Sequence, residues 1–273
     1  MTVVDAHHHL WDLAVRDQDW IAEDSPIRRD FTVDDLAAET RAAGVDRTVL
    51  VQTVTVAEET PEFLALAAAH DLIAGVVGWT DLTSPAVTDE LARLRELPGG
   101  RFLKGIRHQV QGESDPEWLL RPDVLRGLAA VAAAGLVYDL VVLPHQLPAC
   151  AKAAAMLPQL TFVLDHLGKP PIASGALDPW TADLRVLAAL PNTVAKLSGL
   201  VTEADPAHWT VDDLRPYTET ALDTFGPDRL MWGSDWPVCR LTATYGQVLD
   251  ATRQLVGTDT RIFGATACRV YDL

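Results

Sequence analysis

At 273 residues the chain fits one large domain or two small ones, and either way it can bury a core, of the order of three quarters of its unfolded surface, without a metal or a disulfide. A hydrophobic content of 48% with 22% charged residues excludes a disordered chain. The net charge of -16 argues against nucleic acid and anionic membrane surfaces, which are bound through clustered Lys and Arg, and leaves small molecules as the expected partners.

The N-terminal "MTVVDA" lacks the basic segment and long apolar run of a signal peptide, and Cys150, Cys239 and Cys268 are scattered without C-x-x-C spacing. A reducing, cytoplasmic setting is expected, with neither a disulfide framework nor a thiolate zinc site.

In chain order, β-rich runs occur at "TVVDAHH", "RTVLVQTV" from Arg47, "IAGVVGW" from Ile73 and "RFLKGIR" from Arg101. Four more follow: "LVYDLVV" from Leu136, "LTFVLDH" from Leu160, "TVAKLSG" from Thr193 and "RLMWGSD" from Arg229. Between them lie segments of helical spacing such as "TVDDLAAETRAAG", "TPEFLALAAAH", "VTDELARLREL" and "PYTETALDTFG", several opening on Thr or Asp and stopping at Gly or Pro. The apolar stretch Gly127 to Pro144 is broken by Gly135 and Asp139, so it reads as helix, stop and strand rather than a membrane span.

Strands that are apolar on both faces and alternate with helices imply a parallel sheet. Eight such units, with no G-x-G-x-x-G after the first strand, predict a single α/β domain over residues 1–273, a (β/α)8 TIM barrel. In that fold the catalytic groups gather at the C-terminal strand ends, which here carry His7 and His9, Arg107 and His108, His166, Lys196 and Ser198, and Asp235.

Residues two apart on a strand share a face, so His7 and His9 can converge on one ion at about 2.0–2.1 Å, while His8 turns toward the helices and is structural. Strict alternation from Lys104 places Arg107 on the opposite face from Lys104 and His108, so the strand must twist or end for both to reach a substrate. Lys196, inside an apolar strand, points into the barrel mouth or pairs with a carboxylate. Trp11, Trp20, Trp79 and Trp236 fall at the catalytic face, where an aromatic wall would stack on a sugar ring. The first loop, Trp11 to Phe31, is a candidate lid with Trp20 as its contact.

"DAHHHLW", "GIRH", "DHLGKP", "KLSGLVTEAD" and "DRLMWGSDWPV" resemble, in order and over essentially the whole chain, the amidohydrolase-2 branch of the amidohydrolase superfamily. The likeness is closest to its sugar-lactone hydrolases, of the L-fuconolactonase and L-rhamnonolactonase type. It implies a barrel that hydrolyses an aldonolactone, with His7, His9, His166 and Asp235 in the active site. These four are the expected metal set, holding one divalent ion, zinc, or none.

The binuclear members carry a bridging Lys or Glu on strand four and histidines on strands five and six. Here Lys104 would serve as the bridge only if carbamylated, and His145 lies beyond a Pro.

Lactone hydrolysis needs an activated water, a stabilised oxyanion and a proton for the ring oxygen. Asp235 and His166 are the expected catalytic residues; Arg107, His108, Trp20, His145, Lys196 and Glu203 are the expected substrate contacts. A homo-oligomer is left open. The alternative on the same scaffold is a muconolactone or pyrone-carboxylate lactone hydrolase, or a decarboxylase of an aromatic acid; it would favour several convergent arginines, of which Arg107 and Arg240 are available.

Overall fold

The strand runs read from the sequence become one parallel sheet in a computed structural model that describes residues 2–273. Its strands are β1 (Val4–His8), β2 (Arg47–Val51), β3 (Ile73–Gly78), β4 (Leu103–His108), β5 (Val137–Leu140), β6 (Phe162–Leu164), β7 (Thr193–Leu197) and β8 (Leu230–Trp232), side by side in chain order. The ring closes just past β8: His8 bridges Trp236, His9 N donates to Trp236 O at 2.7 Å and Asp235 N to His7 O at 2.8 Å. Closure thus fixes β1 against the loop that carries Asp235.

The helices alternate with the strands: α1 (Val33–Ala43), α2 (Glu59–Ala69), α3 (Val87–Glu96), α4 (Pro122–Ala133), α5 (Leu147–Met156), α6 (Trp180–Ala188), α7 (Val211–Phe225), α8 (Tyr245–Val256) and α9 (Thr266–Tyr271). Local chemistry sets their ends. Thr32 and Asp35 form a reciprocal capping box at the start of α1, and Gly44, at φ 69°, ends it in the left-handed conformation that glycine adopts without a Cβ clash. The sequence reading starts α7 at Pro216, but the helix begins at Val211, because the box of Thr210 and Asp213 caps it five residues earlier. Among the described residues no helix is long and apolar enough to cross a membrane.

Two apolar clusters lie on either side of the sheet. The interior one takes a valine from each of six strands, Val4, Val49, Val77, Val137, Val163 and Val194, each worth roughly 1.5–3 kcal/mol when fully buried. Below this layer Tyr271 of α9 enters the barrel. Above it the interior becomes ionic.

Two of the three register shifts in the ladder decide which side chains reach that ionic layer. Asp5 pairs with Thr48 but His8 with Leu50, so β1 carries one residue more than β2. The bulge resets the alternation, and both Ala6 and His7 face inward. In β4, Val76 pairs with Leu103 and Val77 with Gly105, the surplus residue being Lys104. As the second residue of β4, Lys104 lies at the N-terminal end of the barrel, its Nζ donating to Asp272 O at 2.6 Å, and cannot bridge metals at the other end. Arg107 faces inward and His108 outward, opposite one another as strict alternation has it, and the extra residue changes only the relation of Arg107 to Lys104.

His8 faces the helical layer as expected, fully buried with Nε2 2.9 Å from Thr48 Oγ1. Burial, with a smaller contribution from neighbouring His9, lowers its pKa from 6.5 to about 3. A histidine depressed in the fold contributes stability that is present above the unfolded value and lost as pH falls toward the folded one. Each pH unit below 6.5 therefore costs about 1.4 kcal/mol through this residue. Denaturant titrations from pH 6.5 to 5 are expected to give a shallower loss for His8→Gln than for the wild type; equal slopes would contradict the assignment.

Candidate active site

The site stands on an ion-paired floor across the barrel axis. Lys196 Nζ from β7 lies 2.6 Å from Asp139 Oδ2 and 3.0 Å from Asp165 Oδ1, all three side chains fully buried. Tyr271 donates to Asp139 from below at 2.8 Å. Arg107 Nη1 reaches Asp165 Oδ2 at 3.0 Å, and its other amino group is held by the Gln52 carbonyl. Two cations and two carboxylates thus neutralise one another. Burial pushes Asp139 up to about 6 despite Lys196, while Asp165, resisting the same burial, is held well below the usual range by Lys196, His7 and Arg107.

His7 rests on this floor, Nδ1 being 3.3 Å from Asp165 Oδ1 and 3.2 Å from Lys196 Nζ. Its Nε2 is 3.1 Å from His9 Nε2 and 3.7 Å from Asp235 Oδ1. His9 Nε2 is 3.5 Å from the same oxygen and His166 Nε2 is 3.9 Å from it, so three imidazoles surround one carboxylate. His9 Nδ1 lies 2.8 Å from Val51 O, and since a carbonyl only accepts, Nδ1 is the donor and Nε2 is the nitrogen turned toward His7 and Asp235.

His166 and Asp235 lie past their strands on strained backbone. His166, Leu167, Gly168 and Lys169 form a left-handed turn with φ of 54, 52, 69 and 54°, and Asp235 has φ 55°. Each non-glycine residue there costs about 1–2 kcal/mol, a cost characteristic of functional sites. Gly199 makes room for the turn: a Cβ at this position would stand 2.5 Å from His166 Nδ1. Ser198, beside it, fixes His166 Nδ1 at 2.8 Å.

Burial lowers His166 to about 4 despite Asp235 and Asp165, so the ring is neutral at neutral pH. Burial opposes the charge on Asp235, but His166 and His9 outweigh it and hold its pKa below the usual value, leaving a carboxylate. Asp5, under this loop, accepts from Ser234 Oγ at 2.6 Å and Tyr245 Oη at 3.0 Å, tying the Asp235 segment to β1 and α8.

The donor set fits a divalent ion. A tetrahedral ion with bonds of about 2.0–2.1 Å needs ligand atoms roughly 3.4 Å apart. His7, His9 and Asp235 present theirs at 3.1, 3.5 and 3.7 Å. A second group, His7, Asp165 and His166, is also close enough, but Asp165 is already committed to Arg107 and Lys196.

A cavity of about 150 Å³ opens above these residues, lined by His9, Arg107, His166 and Asp235 together with Trp20, Thr53, Gln109, Gln111, Val141, Lys169, Thr202 and Val238. Trp20 reaches it from the first loop, whose base is closed by the Trp11–Phe31 bridge. The other tryptophans do not line it. Trp11 and Trp236 pack on Phe31, and Trp79 donates to His108 Nδ1 at 3.0 Å.

Three expected substrate contacts are displaced. His108 follows Arg107 on the strand and so faces outward, stacked on Trp118 at 4.2 Å and bound to Glu113 at 2.8 Å. Lys196 is sealed in the floor, taking the ion-pair option. His145 is exposed on the turn before α5, off the cavity. Glu203 stands beside the cavity, its Oε1 3.8 Å from Lys169 Nζ. Arg240 pairs with Glu39 at 3.4 Å outside it.

Sequence reasoning passed over Asp165, although it adjoins His166 in "DHLGKP", and Asp139, a carboxylate inside an apolar strand that complements Lys196. Gln109, Gln111, Thr53 and Thr202 lie outside the strands and gave no pattern to read.

A closed parallel barrel with a histidine and aspartate cluster at its C-terminal face is the architecture of a TIM-barrel enzyme with a candidate metal site. The chain belongs to the Amidohydrolase family, whose model matches residues 4–273. It is 39% identical to an L-fucono-1,5-lactonase of Burkholderia ambifaria over 98% of this chain and 94% of that protein. It is also 39% identical to an L-fucono-1,5-lactonase of Burkholderia multivorans, over 99% and 96% of the two. A crystal structure of an amidohydrolase from Burkholderia multivorans with bound zinc superposes with a TM-score of 0.93 at 38% identity, covering all of both chains.

Proposed function

We propose that this protein opens a sugar lactone, an aldonolactone such as L-fuconolactone, to its aldonic acid. The observation that carries the reading is the Asp235 carboxylate, ringed by His7, His9 and His166 at 3.5–3.9 Å in a small cavity that Arg107 also lines. The two lactonase relatives at 39% identity support the choice of substrate class.

Asp235 removes a proton from water as the water oxygen bonds to the lactone carbonyl carbon. Arg107, its charge fixed by Asp165 and Gln52, steadies the oxyanion. The ring C–O bond then breaks, and the departing alkoxide takes the proton back from Asp235. His166, neutral and anchored by Ser198, orients the reacting groups. Lys196 and Asp139 act from below by holding His7 in place.

One zinc ion is the proposed cofactor, held by His7, His9 and Asp235 with His166 nearby. When bound it would polarise the carbonyl or lower the pKa of its water toward about 7. The placement of Arg240 outside the cavity leaves Arg107 without a second arginine there, which weighs against a dicarboxylate lactone.

The test is acid release, followed with a pH indicator, from a panel of aldono-1,4- and 1,5-lactones and a muconolactone, with enzyme as purified and after chelation. Turnover of sugar lactones is expected. Turnover of the muconolactone alone would overturn the reading.

A further inference from the structure

At the rim of the cavity that holds Asp235 stands a charged pair that the hydrolysis does not use. Lys169 and Thr202 line the cavity, and Glu203 follows Thr202. The side chains of Lys169 and Glu203 are 24% and 27% exposed, so each is largely desolvated. Lys169 Nζ stands 3.8 Å from Glu203 Oε1, beyond hydrogen-bonding distance, and neither charged end has a hydrogen-bond partner among the described residues. A half-buried charge without a hydrogen bond is costly.

The backbone that delivers Lys169 adds to that cost. At φ 54° it is the last residue of the left-handed turn that carries His166, so the same strained segment presents the catalytic imidazole and the lysine. A hydroxyl group completes the pair, because its O–H can donate to Oε1 at about 2.7 Å while its oxygen accepts from Nζ at about 2.9 Å. Water alone would do the same on an open surface; beside a cavity it can be replaced by a substrate hydroxyl with both bonds kept.

We infer that Lys169 and Glu203 form a hydroxyl-recognition subsite, which selects polyhydroxylated lactones by clasping one ring hydroxyl between ammonium and carboxylate. The inference rests on the lactone-hydrolase reading and deepens it: Asp235 and Arg107 act on the carbonyl, whereas this pair reads the sugar. It assigns Glu203 a specific bond and gives a role to Lys169, which lies within the "DHLGKP" motif but had none from the sequence.

The experiment is a cycle between substrate and enzyme. kcat/KM is measured for an aldonolactone and its singly deoxygenated analogues with wild type, Glu203→Gln and Lys169→Met. For one deoxy position the wild type is expected to lose about 10- to 100-fold, and each variant to lose a similar factor on the parent lactone while treating parent and analogue nearly alike. Circular dichroism and the turnover of the analogue itself confirm that the variants fold. Losses that multiply independently at every position, or variants that behave as wild type on the parent, overturn the subsite and leave the lactonase reading standing. Failure of the wild type on all sugar lactones overturns that reading and this inference with it.

Discussion

Asp235→Asn is expected to lower kcat on a sugar lactone by about 10³-fold or more, with KM changed far less and the folded state retained. The substitution is nearly isosteric, and the Asp235 side chain is not part of the ionic floor. What it removes is the negative charge on which His7, His9 and His166 converge, and with it the basicity that accepts the proton of the attacking water. An amide does not take up that proton at neutral pH. Steady-state kinetics, beside thermal melts of both proteins, provide the check. Residual activity within about tenfold of wild type would move the base elsewhere in the cluster.

Lys196→Met is expected to have the largest effect on stability, about 3–5 kcal/mol. The methionine keeps the apolar stem but leaves Asp139 and Asp165 buried and facing one another with Arg107 as their remaining cation. The loss has a pH signature. Asp139 is already raised to about 6 by burial, and without its counter-ion it rises further. A carboxylate raised in the fold contributes stability at low pH that is lost as pH rises through its folded value, so the deficit of the variant is expected to narrow on acidification from pH 7 to 5. Urea titrations at the two pH values test this, and Lys196→Met/Asp139→Asn is expected to recover part of the loss at pH 7. A deficit independent of pH and not relieved by the second substitution would mean that lost packing, not the unpaired carboxylate, is responsible.

The two experiments separate the layers of the site. Asp235 is at the cavity and reaches the reacting atoms; Lys196 is beneath it and acts through His7 and Asp165. A chain of side chains thus runs from Tyr271 at the barrel floor through Asp139 and Lys196 to the imidazole of His7. The C-terminal helix supports the catalytic end in this way, although its sequence carries no chemical motif.

Much of this was legible in the chain itself. Eight apolar runs alternating with amphipathic segments call for a parallel sheet covered by helices, and eight such units without a Gly-rich first turn favour the closed barrel over an open sheet, a fold that directs functional groups to the strand ends. The i and i+2 spacing of His7 and His9 placed them together, and the order of motifs placed His166 and Asp235 beside them. These features are local or periodic, and periodicity survives in a sequence.

What the tertiary structure alone decided is which neighbours share a face and which charges meet. A single extra residue in β4 resets which of its side chains face inward, Arg107 turning to the interior and His108 away from it, and no pattern of residue types announces a bulge. The pairing of Lys196 with Asp139 and Asp165 joins residues 57 and 31 positions apart, and Lys169 meets Glu203 only because a left-handed turn points it there. Such contacts depend on three-dimensional closure of the ring, where a shift of one residue reverses the side a chain faces, so the sequence named the histidines and Asp235 while the fold decided which other side chains stand beside them.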